Sequence, residues 1–416
     1  GWQVLTSTFG PDGRLFFTLW KPRGNRSQLW ALQAGEETKG MAEVKTLLAK
    51  GFSSYKDDQL LSFLDHADRR IRLQSQFALV AREKAKKLRS LVADAKAELI
   101  PRLHALWGLG QLKARDRDLL KLLCRDKDDE MRAQAARWAG DLGFDPDNLV
   151  PGLLRDPSPR VRLMAGIASG KLKSKDALDS LTKLIIEADN RETVLRHAGI
   201  CGLAGTATPS ELKGLFRHSS EALRIAAVVA LRRQKAFEEL TTFLDDPSPQ
   251  VMSDAVRAIY DEASPQTFTD HPDVLSALAK CLHPSRPAPV NVRAIAANRR
   301  LGTIEAARRV VAFLVTPKLD SALRIEALYS LESWPDASTL DPMDGRHFPV
   351  SQGNPDALGE VVGPQVWSLA NDPNDKVSRR VITLLRKIEP SPVQLDRVAG
   401  FVLDEDQRSS LRNEWL

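Results

Sequence analysis

Two clusters of histidine and cysteine residues carry side chains suited to metal chemistry. His197 and Cys201 are four residues apart, so a helix places both on one face, in the geometry of two zinc ligands. His271, Cys281 and His283 form a looser group in a proline-rich stretch. A structural zinc site needs four ligands, and neither cluster supplies them locally. The sequence therefore predicts no metal site, and we expect packed side chains in both places.

An acidic run resembles part of a calcium-binding loop. It comprises Asp126, Asp128, Asp129 and Glu130 but lacks the glycine and the distal glutamate of an EF-hand, so we expect a helix-flanking turn. The chain contains no Ser/His/Asp arrangement, no Gly-x-Ser-x-Gly elbow, no glycine-rich phosphate loop and no His-Glu-x-x-His helix. These patterns predict that this segment is not an enzyme and binds no cofactor.

The positive charge of the chain is concentrated in residues 69–137. This segment holds 18 lysine and arginine residues against 9 aspartate and glutamate residues, whereas the whole chain has a formal net charge of +6. Its densest part predicts a solvated helix face able to dock an acidic partner. This possible interaction surface comprises Arg82, Lys84, Lys86, Lys87 and Arg89. Nucleic-acid binding is the alternative; it requires stacking aromatic residues on the same face, whereas Trp107 and Trp138 occupy helix positions suited to a core.

A motif of the form apolar-Arg-x-x-small repeats along the chain with a period near 30 residues. Its arginines are Arg72, Arg102, Arg132, Arg162, Arg196, Arg224, Arg293 and Arg324. Degenerate copies begin at Val251, where Met252 replaces the arginine, and at Val377. Such a period is typical of a repeat protein in which each unit buries its apolar face against its neighbours. The small residue is expected where two helices approach closely.

Residues 147–172 show why one unit should form a helical hairpin. Asp147 or Asn148 can cap a short helix with an apolar stripe. The sequence Asp-Pro-Ser-Pro at residues 156–159 ends that helix, because proline lacks a backbone donor and restricts the residue before it. A second amphipathic helix then begins at Arg160. The predicted fold class is all-α, an α-solenoid of helical hairpins that offers an extended surface rather than an enclosed pocket.

The column of hinge arginines is expected to be a structural ladder. A guanidinium group matches the geometry of a carboxylate and also donates to carbonyl oxygens. Carboxylates lie in the inter-helix turns at Asp65, Asp126, Asp156 and Asp246. A ligand-binding stripe is the alternative interpretation of the same column.

Two stretches depart from the helical repeat. Residues 1–35 contain alternating β-branched and aromatic residues around a Gly-Pro-Asp-Gly turn at 10–13, which predicts strands of a hairpin or meander. Residues 333–364 are rich in proline and glycine and predict a long inserted loop, of the kind that usually has a functional or contact role. The expected organisation is a β segment (1–35), helical repeats (36–332), the loop (333–364) and C-terminal helical repeats (365–416).

The composition agrees with a globular helical protein. Of 416 residues, 43% are hydrophobic and 27% charged, which excludes a disordered or collagen-like chain. The apolar stretch Ile225–Leu231 is far shorter than the roughly 20 residues that cross a bilayer, so no membrane insertion is expected. Cys124, Cys201 and Cys281 are too widely separated for a disulfide framework and are expected to be buried thiols. The sequence opens at Gly1 without a charged, apolar leader, which suggests a mature start or a piece of a longer protein and predicts no compartment.

The repeats resemble the short HEAT-like type that also occurs in phycobilin lyases, over most of residues 60–332 and again near residue 365. A narrower resemblance rests on the motif FGPDGRLFFTLW at 9–20 and on the motifs SWPDAS and DPMDGR within 333–346. Together they are similar to the central region of PVC-type haem-binding, membrane-bound dehydrogenases. Members of that family combine a dehydrogenase-like β-propeller, HEAT repeats and a C-terminal cytochrome c module.

The narrower resemblance implies a place for each motif. Residues 10–20 would match part of the last propeller blade. The family's inter-repeat loop would be matched by Trp334, Pro335, Asp341, Gly345 and Arg346. The chain departs from the family in having neither a Cys-x-x-Cys-His haem-attachment motif nor the body of the propeller, so redox chemistry would lie outside this segment.

We therefore expect a non-catalytic scaffold or protein-interaction module without metal or cofactor. If the narrower resemblance holds, its partners are adjacent propeller and cytochrome domains, and its location is the periplasm or cell envelope. An acidic protein is the other expected partner. Two alternatives remain open, a nucleic-acid-binding HEAT solenoid and a phycobilin-lyase-like protein that binds a chromophore.

Overall fold

A computed structural model describes residues 3–10, 13–21, 26–33, 40–334, 340–341, 343, 345–346, 355–388 and 392–415. The chain divides into two compact parts. Unit 1 comprises Gly1–Ser180, and unit 2 comprises Leu181–Leu416.

Unit 1 begins with a three-stranded antiparallel sheet in the order β1 (Gln3–Phe9), β2 (Leu15–Lys21) and β3 (Arg26–Leu32). The register aligns Phe9 with Leu15 and Leu32, and Phe17 with Trp30. Because aligned residues share a face, these side chains make one face of the sheet apolar. Phe9, Trp30 and Leu32 on that face are exposed.

The rest of unit 1 is helical and alternates short first helices with longer second helices. Its helices are α1 (Met41–Lys50), α2 (Asp57–Phe63), α3 (Arg69–Ala81), α4 (Ala85–Ala93), α5 (Leu99–Gln111), α6 (Arg117–Leu123), α7 (Asp129–Leu142), α8 (Val150–Leu153) and α9 (Pro159–Leu172). The second helices α3, α5, α7 and α9 pack successively on one another, and each also contacts the first helix of its own hairpin. This arrangement buries the apolar faces that no single hairpin could bury alone.

Unit 2 continues the same pattern, and the unit boundary falls inside α10. Its helices are α10 (Leu178–Ala188), α11 (Thr193–Thr206), α12 (Pro209–Gly214), α13 (Glu221–Gln234), α14 (Phe237–Leu240), α15 (Pro249–Tyr260), α16 (Pro265–Asp270), α17 (Pro272–Lys280), α18 (Ala288–Leu301), α19 (Ile304–Leu314), α20 (Ser321–Glu332), α21 (Pro355–Val366), α22 (Asp375–Lys387), α23 (Pro392–Leu403) and α24 (Ser409–Trp415). The helices α11, α13, α15, α18, α20 and α22 form the row of second helices.

Short polar residues begin the second helices. A side chain four places before the hinge position accepts a backbone N–H of the first turn, which satisfies a donor that the helix itself leaves unpaired. The capping residues are Asp68, Asp128, Ser220, Ser248 and Asp320. In the hairpin of residues 147–172, α9 begins at Pro159, one residue before the predicted start. The first helix of that hairpin receives its cap from Asp145, whose carboxylate accepts from the backbone N–H groups of residues 149 and 150, rather than from Asp147 or Asn148.

The small residue of each motif lies in the packed interior, as its spacing predicts. Ala135 of α7 and Ala165 of α9 are fully buried. The same two helices lie close together at Gly140, where a Cβ atom would lie 2.9 Å from both Cα and Cβ of Ala168. A larger side chain at Gly140 would therefore have to push the backbone of α9 away.

The predicted fold class is confirmed: the chain is an α-solenoid of helical hairpins with a short β segment at its start. Helix α21 begins at Pro355, inside the range predicted as an inserted loop, because proline is well placed in the first turn of a helix. Parts of that loop, including Pro335, lie outside the described residues. Among the described helices, none combines the length and apolarity that a bilayer crossing requires.

Candidate interaction face

The hinge arginines connect the turns of consecutive hairpins. The guanidinium group of Arg132 donates from Nε and Nη2 to both carboxylate oxygens of Asp156, at 2.7 and 2.9 Å. Its Nη1 donates to the carbonyl oxygen of Asp126, which lies in the turn of its own hairpin. One side chain thus binds two successive turns, in the planar geometry that arginine and carboxylate share.

Arg102, Arg224 and Arg324 make the same kind of contact. Arg102 binds Asp126 at 2.5 Å, and the two side chains are only 3% and 6% exposed. Arg224 binds Asp246 through two hydrogen bonds and also donates to the carbonyl oxygen of His218. Arg324 binds Asp372. Each bound carboxylate also accepts a hydrogen bond from a backbone N–H of its own turn. These bonds orient the aspartate toward its arginine.

The other hinge arginines differ. Arg72 donates to Nε2 of His104 and to two turn carbonyl oxygens. Arg162 donates to the carbonyl oxygens of its own turn, and the side chain of Arg196 makes no hydrogen bond or ion pair within the described residues. Arg293 binds Asp261, which lies before it in the chain rather than after it. The ladder role of the whole column stays a prediction.

The predicted basic surface at residues 82–89 is largely occupied by contacts within the chain. Arg82 and Lys84 bind Asp57, and Lys87 binds Asp58 at 2.6 Å. Arg89 binds Asp116, whereas Lys86 makes no such contact in the described part of the chain. These arginine and lysine residues lower the pKa of both Asp57 and Asp116 below the usual range for aspartate, although burial opposes the shift. Docking of an acidic partner at this surface stays a prediction.

A different basic surface lies on the second helices of unit 1. A groove of about 1000 Å³ runs along α3, α5 and α7. Its lining residues are Arg69, Leu73, Leu106, Trp107, Gly110, Gln111, Lys113, Arg115, Gln134, Arg137, Trp138, Asp141 and Leu142. Six of these thirteen residues stand two, five, six or nine places after the hinge arginine of their hairpin, and we call this side of the second helices the second-helix face. Four cations and one carboxylate line the groove, which gives it a positive charge.

The floor of the groove is fixed by hydrogen bonds between helices. The indole N–H of Trp107 donates to Oε1 of Gln134 at 3.0 Å, which joins α5 to α7. Below it, buried His104 contacts Oε1 of Gln76 at 2.8 Å and accepts from Arg72. Burial lowers the pKa of His104 to about 4, and the charges of Arg72 and Arg69 contribute in the same direction. His104 is therefore neutral at neutral pH.

Two tryptophans that the sequence placed in the core both reach this groove. Trp138 is buried, as expected, but its ring also lines the groove and its indole N–H has no acceptor within the described residues. Trp107 is only half-buried. A signal was present in the sequence, since both tryptophans stand five or six residues after a hinge arginine and so share one face with Arg137.

In unit 2, described residues of the inserted loop contact the second helices α15, α18 and α20. The carboxylate of Asp341 accepts from the hydroxyl of Tyr260 on α15 at 2.7 Å and from Nε of Arg300 on α18 at 2.6 Å. The side chains of Arg300 and Asp341 are each 1% exposed. The guanidinium of Arg300 also stacks on the ring of Tyr260, with 3.9 Å between its Cζ and the ring centroid.

The same loop places an apolar side chain beside this ion pair. Met343 lines a pocket of about 250 Å³ with Ile295 and Arg299 of α18 and Tyr329 of α20. The turn that presents it is closed by a hydrogen bond from the Gly345 backbone N–H to the carbonyl oxygen of Asp341. Gly345 has φ of 69°, a conformation that glycine adopts without strain.

The metal-ligand candidates are separated or incomplete. The sulfur of Cys201 lies 3.5 Å from Nε2 of His197, and its other neighbour is the cationic Arg233. His271 contacts Glu238, and His283 contacts Ser285. No group of three or more histidine, cysteine, aspartate or glutamate side chains in the described part of the chain is placed to hold a metal ion.

The remaining acidic and thiol candidates have structural roles. Asp128 caps α7, and Asp126 binds Arg102. Burial raises the pKa of Cys124 to about 12 and that of Cys281 to about 11. Cys281 is buried as predicted, whereas Cys124 and Cys201 are only half-buried.

Comparison with known proteins supports the repeat assignment. Residues 117–204 match the family model for HEAT repeats, which confirms HEAT-like repeats in that part of the chain. No curated protein matches the chain.

Several solved structures are similar to this chain at low sequence identity. The chain is similar to Kap121p bound to Nup53p, with 14% identity, a TM-score of 0.45 and coverage of 86% of this chain and 44% of that one. A Kap121p mutant gives 13% identity, a TM-score of 0.47 and coverage of 92% and 47%. An engineered protein gives 16% identity, a TM-score of 0.35 and coverage of 81% and 100%. The chain thus spans less than half of the Kap121p chains, and scores of this size carry no functional conclusion.

Proposed function

We propose that the chain is a non-catalytic scaffold that presents the second-helix face to a protein partner. The observation that carries this proposal is the unit 1 groove, an open surface with tryptophan and leucine side chains and an excess of arginine. Tryptophan and arginine are enriched where proteins bind one another, and they contribute a large share of the binding energy. A stack whose turns are joined by buried arginine–aspartate pairs holds such a surface in one geometry before a partner arrives.

The larger protein suggested by the flanking motifs forms the finer part of this proposal. Its supports are the motifs at both ends of the repeat region and the exposed apolar face of the sheet, which contains Phe9, Phe17, Trp30 and Leu32. A second layer of β-structure is the usual cover for such a face. In this proposal residues 1–35 form the end of a propeller domain, and the repeats set its distance from a cytochrome domain.

Site-specific photo-crosslinking tests the scaffold function. A photoreactive amino acid replaces Gln111, which is exposed in the unit 1 groove, and in a matched variant it replaces Ser90, which is exposed on the first helix α4. In cells that produce the protein, we expect discrete protein adducts from position 111 and none of the same mass from position 90. Equal adducts from both positions, or none from position 111, contradict the proposal.

Absorbance of the purified chain tests the chromophore alternative. The scaffold function predicts no haem, flavin or bilin band at a stoichiometric level. A bilin band that resists gel filtration would instead favour a phycobilin-lyase-like protein.

Nucleic-acid binding is the second candidate function, and one observation favours it. The half-buried Trp107 shares the groove with Arg69, Arg115 and Arg137, so an aromatic ring and cations occur on one face after all. Titration of duplex DNA and single-stranded oligonucleotide at 50 and 200 mM salt separates the two functions. Phosphate contacts make affinity fall steeply with salt, in proportion to the number of phosphates neutralised. The scaffold function predicts no measurable binding at the higher salt.

A further inference from the structure

Three of the four cations in the unit 1 groove have no carboxylate partner among the described residues. Arg69 and Lys113 are exposed and make no ion pair in the described part of the chain. Arg115 donates to the carbonyl oxygen of Leu142 and has no carboxylate partner there. Arg137 shares the carboxylate of Asp141 with Lys171 of α9. By contrast, Arg82, Lys84, Lys87 and Arg89 of the basic run all have carboxylate partners.

Apolar surface lies between these cations. Leu73 is half-buried at one side of the groove, and the ring of Trp107 is half-buried at its centre. Trp138 adds an indole N–H without an acceptor among the described residues. A matching ligand therefore carries carboxylates or other acceptors at its edges and an aliphatic side chain between them.

The second-helix face of unit 2 already holds a segment of this kind. The inserted loop brings an aspartate, Asp341, to a cation and a hydroxyl, and two residues later it brings an aliphatic side chain, Met343, to a pocket between second helices. Ile295, Tyr329 and Arg299 of that pocket stand two, five and six places after their hinge arginines. Gln134, Arg137 and Trp138 stand at the same places in the unit 1 groove, which no described segment of the chain covers.

We propose that the unit 1 groove binds an acidic linear protein segment that carries one large aliphatic residue. This inference rests on the proposed scaffold function and names its partner class. The carboxylates of the segment pair with Arg69, Lys113 and Arg115 at the rim, and its aliphatic side chain packs between Leu73 and Trp107. The partner supplies to unit 1 the two elements that the loop supplies to unit 2.

A nucleic-acid strand fits the groove less well. Trp138 is 5% exposed, so only Trp107 offers a ring to a base, whereas strand-binding surfaces stack successive bases on several rings. Leucine side chains on the floor contribute nothing to phosphate binding but do bury an aliphatic residue.

The test uses the full chain and a fluorescein-labelled octapeptide that alternates aspartate or glutamate with leucine and methionine. Fluorescence anisotropy should give a dissociation constant on the order of 10 µM at 100 mM salt. Matched octapeptides replace the acids by asparagine and glutamine, or by lysine, or replace the leucine and methionine by alanine. Each of these should bind at least about tenfold more weakly, since charge and aliphatic contact both contribute.

Two charge-reversal variants locate the site. Arg69→Glu with Lys113→Glu should weaken binding of the acidic octapeptide about tenfold. Lys86→Glu with Arg125→Glu makes the same change in net charge at exposed residues outside the groove. This pair should change the affinity for the acidic octapeptide less than twofold. Leu73→Ala should weaken the leucine/methionine peptide about threefold and leave the alanine peptide unchanged. Far-UV circular dichroism and thermal melting confirm that each variant is folded.

Several outcomes overturn the inference. Equal loss from both charge-reversal pairs would mean attraction to net charge alone. Tighter binding of the lysine peptide, or tighter binding of oligo(dT) than of the acidic octapeptide, would mean another ligand class. If the octapeptide does not bind while position 111 still yields a crosslinked protein, the scaffold function stands and the acidic-segment inference falls.

Discussion

The second-helix faces of the two units share some repeat positions but differ in what neutralises their charge. In unit 2, Arg300 meets the carboxylate of Asp341 in a buried site, and Met343 of the same loop lines a pocket between α18 and α20. In unit 1, Arg69 and Lys113 meet no carboxylate in the described residues, and the face forms an open groove. The backbone pattern of a repeat therefore does not decide whether a face is core or binding surface. Segments inserted between repeats make that difference.

The largest expected effect comes from removing the loop anchor of unit 2. Asp341→Ala removes the buried carboxylate that accepts from Arg300 and from the hydroxyl of Tyr260, and breaking a buried ion pair in this way costs about 3–5 kcal/mol of stability. Urea denaturation followed by circular dichroism measures the loss, and hydrogen exchange should locate new opening in α15 and α18. The matched change in the open groove of unit 1, Asp141→Ala, removes exposed ion pairs and should cost less than about 1 kcal/mol. Similar losses from both variants would mean that the two faces do not differ as described.

A second prediction concerns the turn side of the hairpins, where the two units are alike. Arg102→Met in unit 1 and Arg224→Met in unit 2 each leave a buried aspartate without its arginine, and each should cost about 3 kcal/mol. Methionine keeps most of the side-chain volume, so the loss reports on the ion pair rather than on a cavity.

The controls for this prediction are arginines in exposed inter-repeat pairs. Arg117→Met and Arg232→Met remove contacts to Asp147 and Glu262 and should each cost less than about 1 kcal/mol. If Arg102→Met were as mild as these controls, the hinge column would not be a structural ladder.

A third prediction uses the histidine beneath the unit 1 groove. The pKa of His104 is lowered from 6.5 to about 4 by burial and by Arg72 and Arg69, so the folded chain stays neutral there while the unfolded chain binds a proton. Stability should therefore be lost as the pH falls through the unfolded pKa, by about 2 kcal/mol between pH 7.5 and pH 5. His104→Gln keeps a donor and an acceptor toward Gln76 and Arg72 and does not titrate. Urea denaturation at both pH values measures the loss of unfolding free energy in the wild type and in this variant. The difference between the two losses is the contribution of His104, and equal losses would contradict the lowered pKa.

Most of the fold could be predicted from the sequence, because the signals lie within single hairpins. The hinge arginines, the small residues three places later and the proline-containing turns depend on neighbours within one hairpin, so their spacing is visible in the chain. Asp145 was not predicted as the cap of α8. Its carboxylate accepts a backbone N–H beyond Asn148, and the sequence does not reveal the positive φ of Asn148.

Contacts between distant segments were beyond sequence reasoning. Tyr260 and Asp341 are 81 residues apart, and their contact depends on how far the loop reaches across the stack. The groove was not predicted from the sequence for a related reason: the helix position of Trp107 by itself indicates a core side chain. Its exposure is decided by the neighbouring helices, which leave room above it.

The smallest predicted effect concerns the C-terminal ends of second helices, where the two units are again alike. Lys173 of unit 1 and Lys235 of unit 2 follow their helices in the left-handed conformation, with φ of 53° and 57°, at the position that Gly143 and Gly302 occupy in other hairpins. A residue with a Cβ atom is destabilised by about 1–2 kcal/mol in that conformation. Glycine avoids this strain, but its unfolded chain has more conformational entropy, which offsets about 0.5–1 kcal/mol of the gain. Lys173→Gly and Lys235→Gly should therefore each raise the free energy of unfolding by about 0.5–1 kcal/mol. Lys173→Ala, which keeps the Cβ atom, should not stabilise the chain, and a gain equal to that of glycine would assign the effect to the lost charge instead.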